Sequence, residues 1–282
     1  MGELVFAAKV THVPSMFISE MDGPLKGCRA GAIAGLEQIG ERIRRSGADT
    51  VVILDTHWLV NAGYHINGCE SFKGVFTSNE FPHFIHDLPY EYAGNPALAD
   101  RLAKAATDRG VRTRSHHLRS LDVEYGTLVP LRYMRMPAST RIVSVAGWCA
   151  FSTMNESRVV GEAFAEAIRA SDSKVALVAS GSLSHRIHDN AVVDKGTLTI
   201  SDEFYKQVDL RVLELWQTGR FKEFCAMLPT YSQTCHGEGW MHDTAMLLGA
   251  LGWDSYRGHV EIVTPYFESS GTGQVNTVFP LS

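Results

Sequence analysis

Cysteine is scarce in this sequence, with five residues in 282, and no two of them form a Cys-x-x-Cys pair. An odd number of cysteines without close pairs argues against a disulfide framework and against a structural zinc knuckle. We therefore expect a reducing compartment, most simply the cytoplasm.

Two further features are missing: a long apolar run and an excess of basic charge. No stretch reaches membrane-spanning length, and the first residues have a strand pattern instead of a charged leader with an apolar core. The net charge is -5, and lysine and arginine are scattered along the chain. These observations argue against a membrane or nucleic-acid partner and favour a small-molecule ligand.

The remaining composition is that of an ordinary globular protein, with 45% hydrophobic and 20% charged residues. No linker rich in proline, glycine or serine divides the chain, so we expect a single domain over residues 1–282. Apolar strands alternate with helical patterns along the sequence. This alternation predicts an α/β fold, with a mixed, mostly parallel central sheet and helices on both faces.

Three predicted strands run directly into a histidine. The stretch 50–55 is an unbroken apolar run that reads as a central strand, and it leads into His57. Strand 4–10 leads into His12, and strand 174–180 leads into His185. Ligands of such sheets bind beyond the carboxyl ends of the strands, so we predict one metal site at that edge.

The other elements are predicted from periodicity and capping residues. Because Pro14 restricts the backbone of Val13, His12 is expected on a stiff loop without a helix. Residues 61–92 are expected to form short strands and loops. Their histidines (His65, His83 and His86) are expected at the surface or in packing positions, with an active-site wall as the alternative. A turn at 121–131 could place Asp122, Glu124 or Tyr125 at the site. Helices are expected at 27–45, 95–110, 155–170, from residue 201 or 202, at 221–228 and at 241–251, with strands at 111–116, 141–146 and 259–267 and a glycine-rich close.

Glu238 is the candidate carboxylate ligand, because it lies between two glycines whose backbone allows a close approach. Two histidines and one carboxylate leave coordination positions open, a ligand set that suits Fe(II) in oxygenases and zinc in hydrolases. There is no His-Glu-x-x-His motif, so spacing does not choose between these metals. The plainer interpretation is that these histidines cap backbone groups at strand ends.

Several segments resemble those of the type II (class III) extradiol ring-cleaving dioxygenases, the family of the protocatechuate 4,5-dioxygenase catalytic subunit. Within the family, they are most similar to the members that act on 3,4-dihydroxyphenylacetate (homoprotocatechuate). The matching segments span the chain: residues 7–15, 55–60, 124–130, 180–186, 237–243 and 269–275. The resemblance implies cleavage of a catechol by O2 beside its diol, with Fe(2+) as cofactor.

The same resemblance implies roles for individual residues. His12, His57 and Glu238 would be the metal ligands, and His185 the acid/base residue. Many relatives carry a second histidine where this chain has Tyr125 followed by Gly126. Tyr125 would therefore be either a hydrogen-bond donor at the metal or a buried turn residue.

Four other residues near these segments are expected first in supporting or surface positions: Arg186, His188, His236 and His242. Of these, Arg186 or a histidine near the mouth could meet a substrate carboxylate. We also expect a homo-oligomer, for which the aromatic region 61–92 could supply an interface. A zinc-dependent hydrolase and a non-catalytic binding relative are the alternatives in other functional classes.

Overall fold

One continuous ten-stranded sheet organises the computed structural model, which describes residues 1–189, 191 and 196–281. The strands are β1 (Glu3–Val10), β2 (Thr50–Val60), β3 (Tyr64–Asn67), β4 (Ser71–Phe76), β5 (Leu88–Gly94), β6 (Thr113–His116), β7 (Arg141–Cys149), β8 (Lys174–Ser180), β9 (Glu261–Ser269) and β10 (Thr272–Val278). Their order is β4-β5-β7-β2-β8-β1-β10-β9, while β3 pairs with β6 and β7. Strands β7, β2, β8 and β1 run parallel, which confirms the predicted mixed, mostly parallel sheet.

Eight α-helices occur in the described residues: α1 (Ser15–Glu20), α2 (Ala30–Arg45), α3 (Pro96–Asp108), α4 (Tyr125–Tyr133), α5 (Met154–Arg169), α6 (Glu203–Gln217), α7 (Phe221–Thr234) and α8 (His242–Leu251). Short 3-10 turns lie at Glu238–Met241 and Trp253–Ser255. No helix in the described part of the chain is both long and apolar enough to cross a membrane.

Both faces of the sheet are covered, as the fully apolar centre of β2 requires. Successive strand side chains point to opposite faces. Val51 and Ile53 pack in a core with residues of α1, α2 and α4, whereas Val52 and Leu54 pack with residues of α3 and α5 to α8. The prediction of helices on both faces is confirmed.

The prediction of a helix-free loop after His12 is wrong. Pro14 has helical dihedral angles, φ -57° and ψ -27°, and α1 begins at the next residue. Proline restricts the residue before it, but it fits the start of a helix because the amide hydrogen there has no intrahelical partner.

The segment 121–131 is also not a turn throughout, because α4 begins at Tyr125 and contains Pro130. The glycine-rich close is strand β10, which pairs with β1 and β9. Its sequence has no apolar run, yet the strand is buried. This is possible because the buried side chains of Gln274 and Asn276 accept hydrogen bonds from Thr11. Packing against β1 thus makes a strand out of residues with little strand propensity.

Several predicted boundaries shift. Strand β2 continues to Val60, so His57 lies within it and not beyond its end. Helix α7 continues past Pro229 to Thr234, and α8 begins one residue later than expected. Strand β6 begins two residues late, and β9 covers 261–269 instead of 259–267.

Candidate metal centre

His12, His57 and Glu238 converge at the carboxyl-end edge of the parallel strands. Each offers one ligand atom, and these three atoms lie within 4.8 Å of one another. His12 Nε2 is 3.0 Å from Glu238 Oε1, and His57 Nε2 is 3.7 Å from the same oxygen. The three side chains come from the end of β1, from β2 and from the turn before α8, so only the tertiary structure brings them together.

The His12 ring is oriented by a chain of two hydrogen bonds. Helix α4 contains Pro130, which has no amide hydrogen to give to the carbonyl of Gly126 four residues earlier. That carbonyl instead accepts the hydroxyl proton of Ser180 at 2.5 Å. Because this proton is committed, Ser180 Oγ accepts from His12 Nδ1 at 2.9 Å. Nδ1 is therefore protonated. Burial lowers the pKa of His12, but the Glu238 carboxylate beside Nε2 outweighs burial and raises it. A bound metal ion would take the place of the proton on Nε2.

His57 lies in an irregular part of β2, where pairing with β7 shifts between Asp55 and Leu59. The buried Asp55 carboxylate accepts the His57 amide at 2.8 Å and the Thr127 hydroxyl at 2.6 Å, which fixes this irregularity. Burial and the neighbouring His12 lower the pKa of His57 to about 3. The imidazole is therefore neutral at pH 7, the form that binds metals.

Glu238 is held in a strained turn, because Gly239, Trp240 and Met241 all have left-handed backbone angles. Its Oε1 accepts the Thr56 hydroxyl at 2.6 Å, and its Oε2 accepts both the amide and the hydroxyl of Ser182. Burial alone would raise the pKa of this carboxyl. The imidazoles of His12 and His185 outweigh burial and hold the pKa well below its usual value, so Glu238 is anionic.

This donor set fits a divalent metal ion. Two imidazoles and one carboxylate on a shared edge leave further positions for water or substrate, as in the facial sites of non-haem Fe(II) enzymes. The hydrogen bonds that orient His12 and Glu238 are of the kind that tune metal ligands.

His185 lies beside this group without being part of it. Its Nδ1 is 2.6 Å from Ser182 Oγ and 3.4 Å from Glu238 Oε2. Ser182 gives its proton to Glu238, so it accepts from His185 Nδ1. Burial lowers the pKa of His185, against the opposing effect of Glu238. The result is a neutral imidazole with its Nε2 lone pair available, a suitable proton acceptor.

A cavity of about 490 Å³ opens over the three candidate ligands and His185. Phe81, Phe84 and Trp148 contribute aromatic surface to it. Tyr125 also lines the cavity, with its ring centroid 3.7 Å from that of His57 and its hydroxyl 3.4 Å from Glu80. Burial, followed by Glu80, raises the pKa of Tyr125, so its hydroxyl keeps its proton.

The other residues singled out from sequence fall into two groups, those that line the cavity and those that do not. His236 lines the cavity, but Asp122, Glu124, Arg186, His188 and His242 do not. His242 is buried against Ser157, and Arg186 is exposed with its guanidinium 3.4 Å from the Tyr205 hydroxyl. His65, His83 and His86 also lie outside the cavity lining.

Sequence reasoning missed the residues that orient the ligands. Ser180 and Ser182 lie within the segment that precedes His185, and Thr56 is adjacent to His57, so proximity to the candidate ligands was the available signal. Glu80 had no such signal, because it reaches the cavity only through the fold of the 61–92 region.

The family model described as the catalytic LigB subunit of aromatic ring-opening dioxygenase matches residues 6–280. The chain belongs to this family. A LigB-family relative, the 3,4-dihydroxyphenylacetate 2,3-dioxygenase of Escherichia coli, is 49% identical over 270 residues, which cover 96% of this chain and 98% of that protein. The beta subunit of 2-aminophenol 1,6-dioxygenase from Pseudomonas sp is 24% identical over 260 residues, covering 86% and 85% of the two chains.

A solved structure shows the same fold. The uncharacterized protein JW3007 from Escherichia coli K12 superimposes with a TM-score of 0.66 over 98% of this chain and 100% of that chain, at 14% sequence identity. At this identity the likeness concerns the fold alone. The LigB family therefore accounts for both the architecture and the segments noted in the sequence.

Proposed function

We propose that this protein is an Fe(II)-dependent extradiol dioxygenase that converts 3,4-dihydroxyphenylacetate and O2 to 5-carboxymethyl-2-hydroxymuconate semialdehyde. The observation that carries this proposal is the 49% identity, over nearly the full length of both chains, to an enzyme named for that substrate. The product contains both oxygen atoms of O2 and all atoms of the catechol, so the reaction needs no added reductant.

We propose His12, His57 and Glu238 as the iron ligands, supported by their convergence and by the neutral state of His57. When bound, Fe(II) would supply the centre at which the catechol oxygens and O2 meet. Holding both reactants at one point raises their effective concentration. The aromatic surface of Phe81, Phe84 and Trp148 would hold the ring and exclude water.

We assign proton transfer to His185. Its Nε2 can accept a proton from a catechol hydroxyl and return it later in turnover, while Ser182 keeps the other nitrogen protonated. Tyr125 would serve as a hydrogen-bond donor to substrate or oxygen, since its hydroxyl stays protonated beside His57. It would stand where many relatives have a second histidine.

We further propose that residues 1–282 form one catalytic unit working in the cytoplasm as a homo-oligomer. The continuous sheet supports the first point, and the five free cysteines suit a reducing compartment. Related dioxygenase chains are named as alpha and beta subunits, which supports association of such chains.

The test is metal reconstitution followed by a substrate panel. Protein purified anaerobically and loaded with Fe(II) should open 3,4-dihydroxyphenylacetate in air, giving a yellow product measured by visible absorbance and mass spectrometry. The same protein loaded with Zn(II) should not. Hydrolysis restored only by zinc would favour the hydrolase, and failure to open any catechol with iron bound would favour a non-catalytic relative.

A further inference from the structure

Arg29, the residue before α2, is a buried cation without a carboxylate partner in the described part of the chain. Its side chain is only 5% exposed. The guanidinium donates to Ser15 Oγ at 2.8 Å and to the Thr197 carbonyl at 3.0 Å, and it lies 5.0 Å from the Phe267 ring centroid. By contrast, the buried Lys9 is paired with Asp243 at 2.6 Å.

An arginine buried in this way is costly unless an anion compensates its charge. Burial lowers the pKa of Arg29, but arginine keeps its proton in proteins. Its positive charge therefore acts on the surface nearest to it. Ser15, to which the guanidinium donates, and Ser269 both line the cavity on this side.

Ser15 and Ser269 connect Arg29 to the cavity through hydrogen bonds. Arginine has only donors, so Ser15 Oγ must accept the Arg29 proton. The Ser15 hydroxyl proton can then go to Ser269 Oγ, 3.0 Å away. Ser269 keeps its own hydroxyl proton to donate, and its hydroxyl has no other side-chain partner among the described residues. The cavity thus receives a hydroxyl donor polarised by a buried cation.

This wall is rigidly fixed. Ser270 has a left-handed φ of 51° and donates its amide to the Thr197 carbonyl at 3.2 Å. The same carbonyl accepts from Arg29. One carbonyl therefore ties the cation to the turn that carries Ser269. Strained backbone of this kind persists where surrounding contacts impose it, often at binding sites.

The charges around the cavity favour an anionic group at this wall. Glu238 and Glu80 both line the cavity, whereas no lysine or arginine of the described residues does. A catechol whose diol points towards the candidate metal ligands must keep its own carboxylate away from these two acids. The wall formed by Ser15 and Ser269 has the Arg29 guanidinium behind it.

We propose that Arg29 is a positioning residue that, through Ser15 and Ser269, makes the cavity selective for catechols carrying a carboxylate. This inference rests on the proposed function and extends it from the reaction to the choice of ring substituent. Arg29 itself does not line the cavity, so its effect passes through the hydroxyls.

The experiment compares kcat/KM for 3,4-dihydroxyphenylacetate with that for 4-methylcatechol, which lacks the carboxylate. Arg29→Met should lower the ratio of the two values by about tenfold to a hundredfold, the size expected for hydrogen bonds to charged groups. The loss should appear in KM for the acidic substrate, with kcat for 4-methylcatechol retained. Arg29→Lys should restore part of the ratio, because it restores the charge.

Ser269→Ala is a second variant that leaves Arg29 in place. If Arg29→Met does not fold, Ser269→Ala tests the inferred selectivity for catechols that carry a carboxylate. Binding of 4-hydroxyphenylacetate to metal-free protein, followed by calorimetry, supplies a readout independent of turnover. We expect both Arg29→Met and Ser269→Ala to weaken it. An unchanged ratio in these variants would overturn the inference, as would equal losses for both substrates.

Arg186→Met tests the arginine that the sequence singled out as a possible partner of the substrate carboxylate. Loss of acid preference in this variant alone would assign selectivity to Arg186 and overturn the role of Arg29. Failure of the proposed function is separately visible, because the iron-loaded wild type would then open neither catechol. A wild type that opens both equally well would keep the function and remove this inference.

Discussion

Two buried carboxylates, Glu238 and Asp209, lie on either side of the segment that carries His185. Glu238 is surrounded by imidazoles, which hold its pKa well below normal. Asp209, on α6, accepts only from neutral groups: the Ser184 amide and hydroxyl, Tyr231 and Tyr266. Burial raises its pKa to about 6, against the opposing effect of these hydrogen bonds.

The difference between Glu238 and Asp209 shows which neighbouring groups distinguish a candidate metal ligand from a carboxylate with a structural role. Glu238 keeps its charge because the imidazoles of His12, His185 and His57 face it, and an imidazole nitrogen that gives up its proton can bind a metal ion. Asp209 joins α6, α7, β9 and the Ser184 backbone through one amide and three hydroxyl groups, none of which is an imidazole. Burial is similar for both residues, so the identity of the neighbours decides the role.

The largest expected effect comes from Glu238→Gln, which removes the anionic ligand while keeping the side-chain shape. Bound metal and ring opening should each fall by at least about a hundredfold, since even residues that support metal ligands contribute ten- to a hundredfold. Metal content by mass spectrometry and product absorbance measure the two losses. Full metal occupancy in this variant would contradict the assignment.

His185→Ala is the matched control for Glu238→Gln. It should retain the metal while kcat falls by about 10² to 10⁴, the range for loss of an acid/base residue. Loss of metal in both variants would mean that His185 contributes to binding.

Asp209→Ala should act on stability instead. It leaves four buried donor groups without their acceptor, so we expect the free energy of unfolding to fall by about 3–5 kcal/mol. Urea denaturation of the metal-free protein measures this change. Asp209→Asn keeps a carbonyl acceptor and should lose less. If Asp209→Ala lost metal affinity at unchanged stability, the comparison would fail.

The smallest effects come from two serines, one bonded to each acid. Ser182 donates to Glu238, and Ser184 donates to Asp209. Ser182→Ala should lower metal affinity by about ten- to a hundredfold, with little change in unfolding free energy. Ser184→Ala should lower unfolding free energy by about 1 kcal/mol and leave metal affinity unchanged. A chelator titration measures the metal affinity of both variants, and urea denaturation measures their unfolding free energy. The distinction would be refuted if Ser182→Ala lowered only the unfolding free energy and Ser184→Ala lowered only the metal affinity.

The fold was largely predictable where local sequence and tertiary environment agree. The apolar centre of β2 and the Asn95 cap before Pro96 have clear local patterns, and the structure contains the strand and the capped helix α3. Strand β10 was missed because its polar side chains are buried by bonding to β1, which no local pattern records. Helix α1 was not predicted, because Pro14 restricts the residue before it. The same proline can begin a helix, as it does here.

The sequence by itself determined the alternation of strands and helices, the position of His12 just after a strand, and the family segments that single out Glu238. Tertiary structure alone decided that His12 Nδ1 is bonded to Ser180, that Tyr125 lies against His57, and that Arg29 lies behind Ser15 and Ser269. Apolar periodicity is set by local backbone geometry and is readable along the chain. Hydrogen bonds between residues more than a hundred positions apart depend on how the sheet is assembled, as the contact of His12 with Ser180 shows.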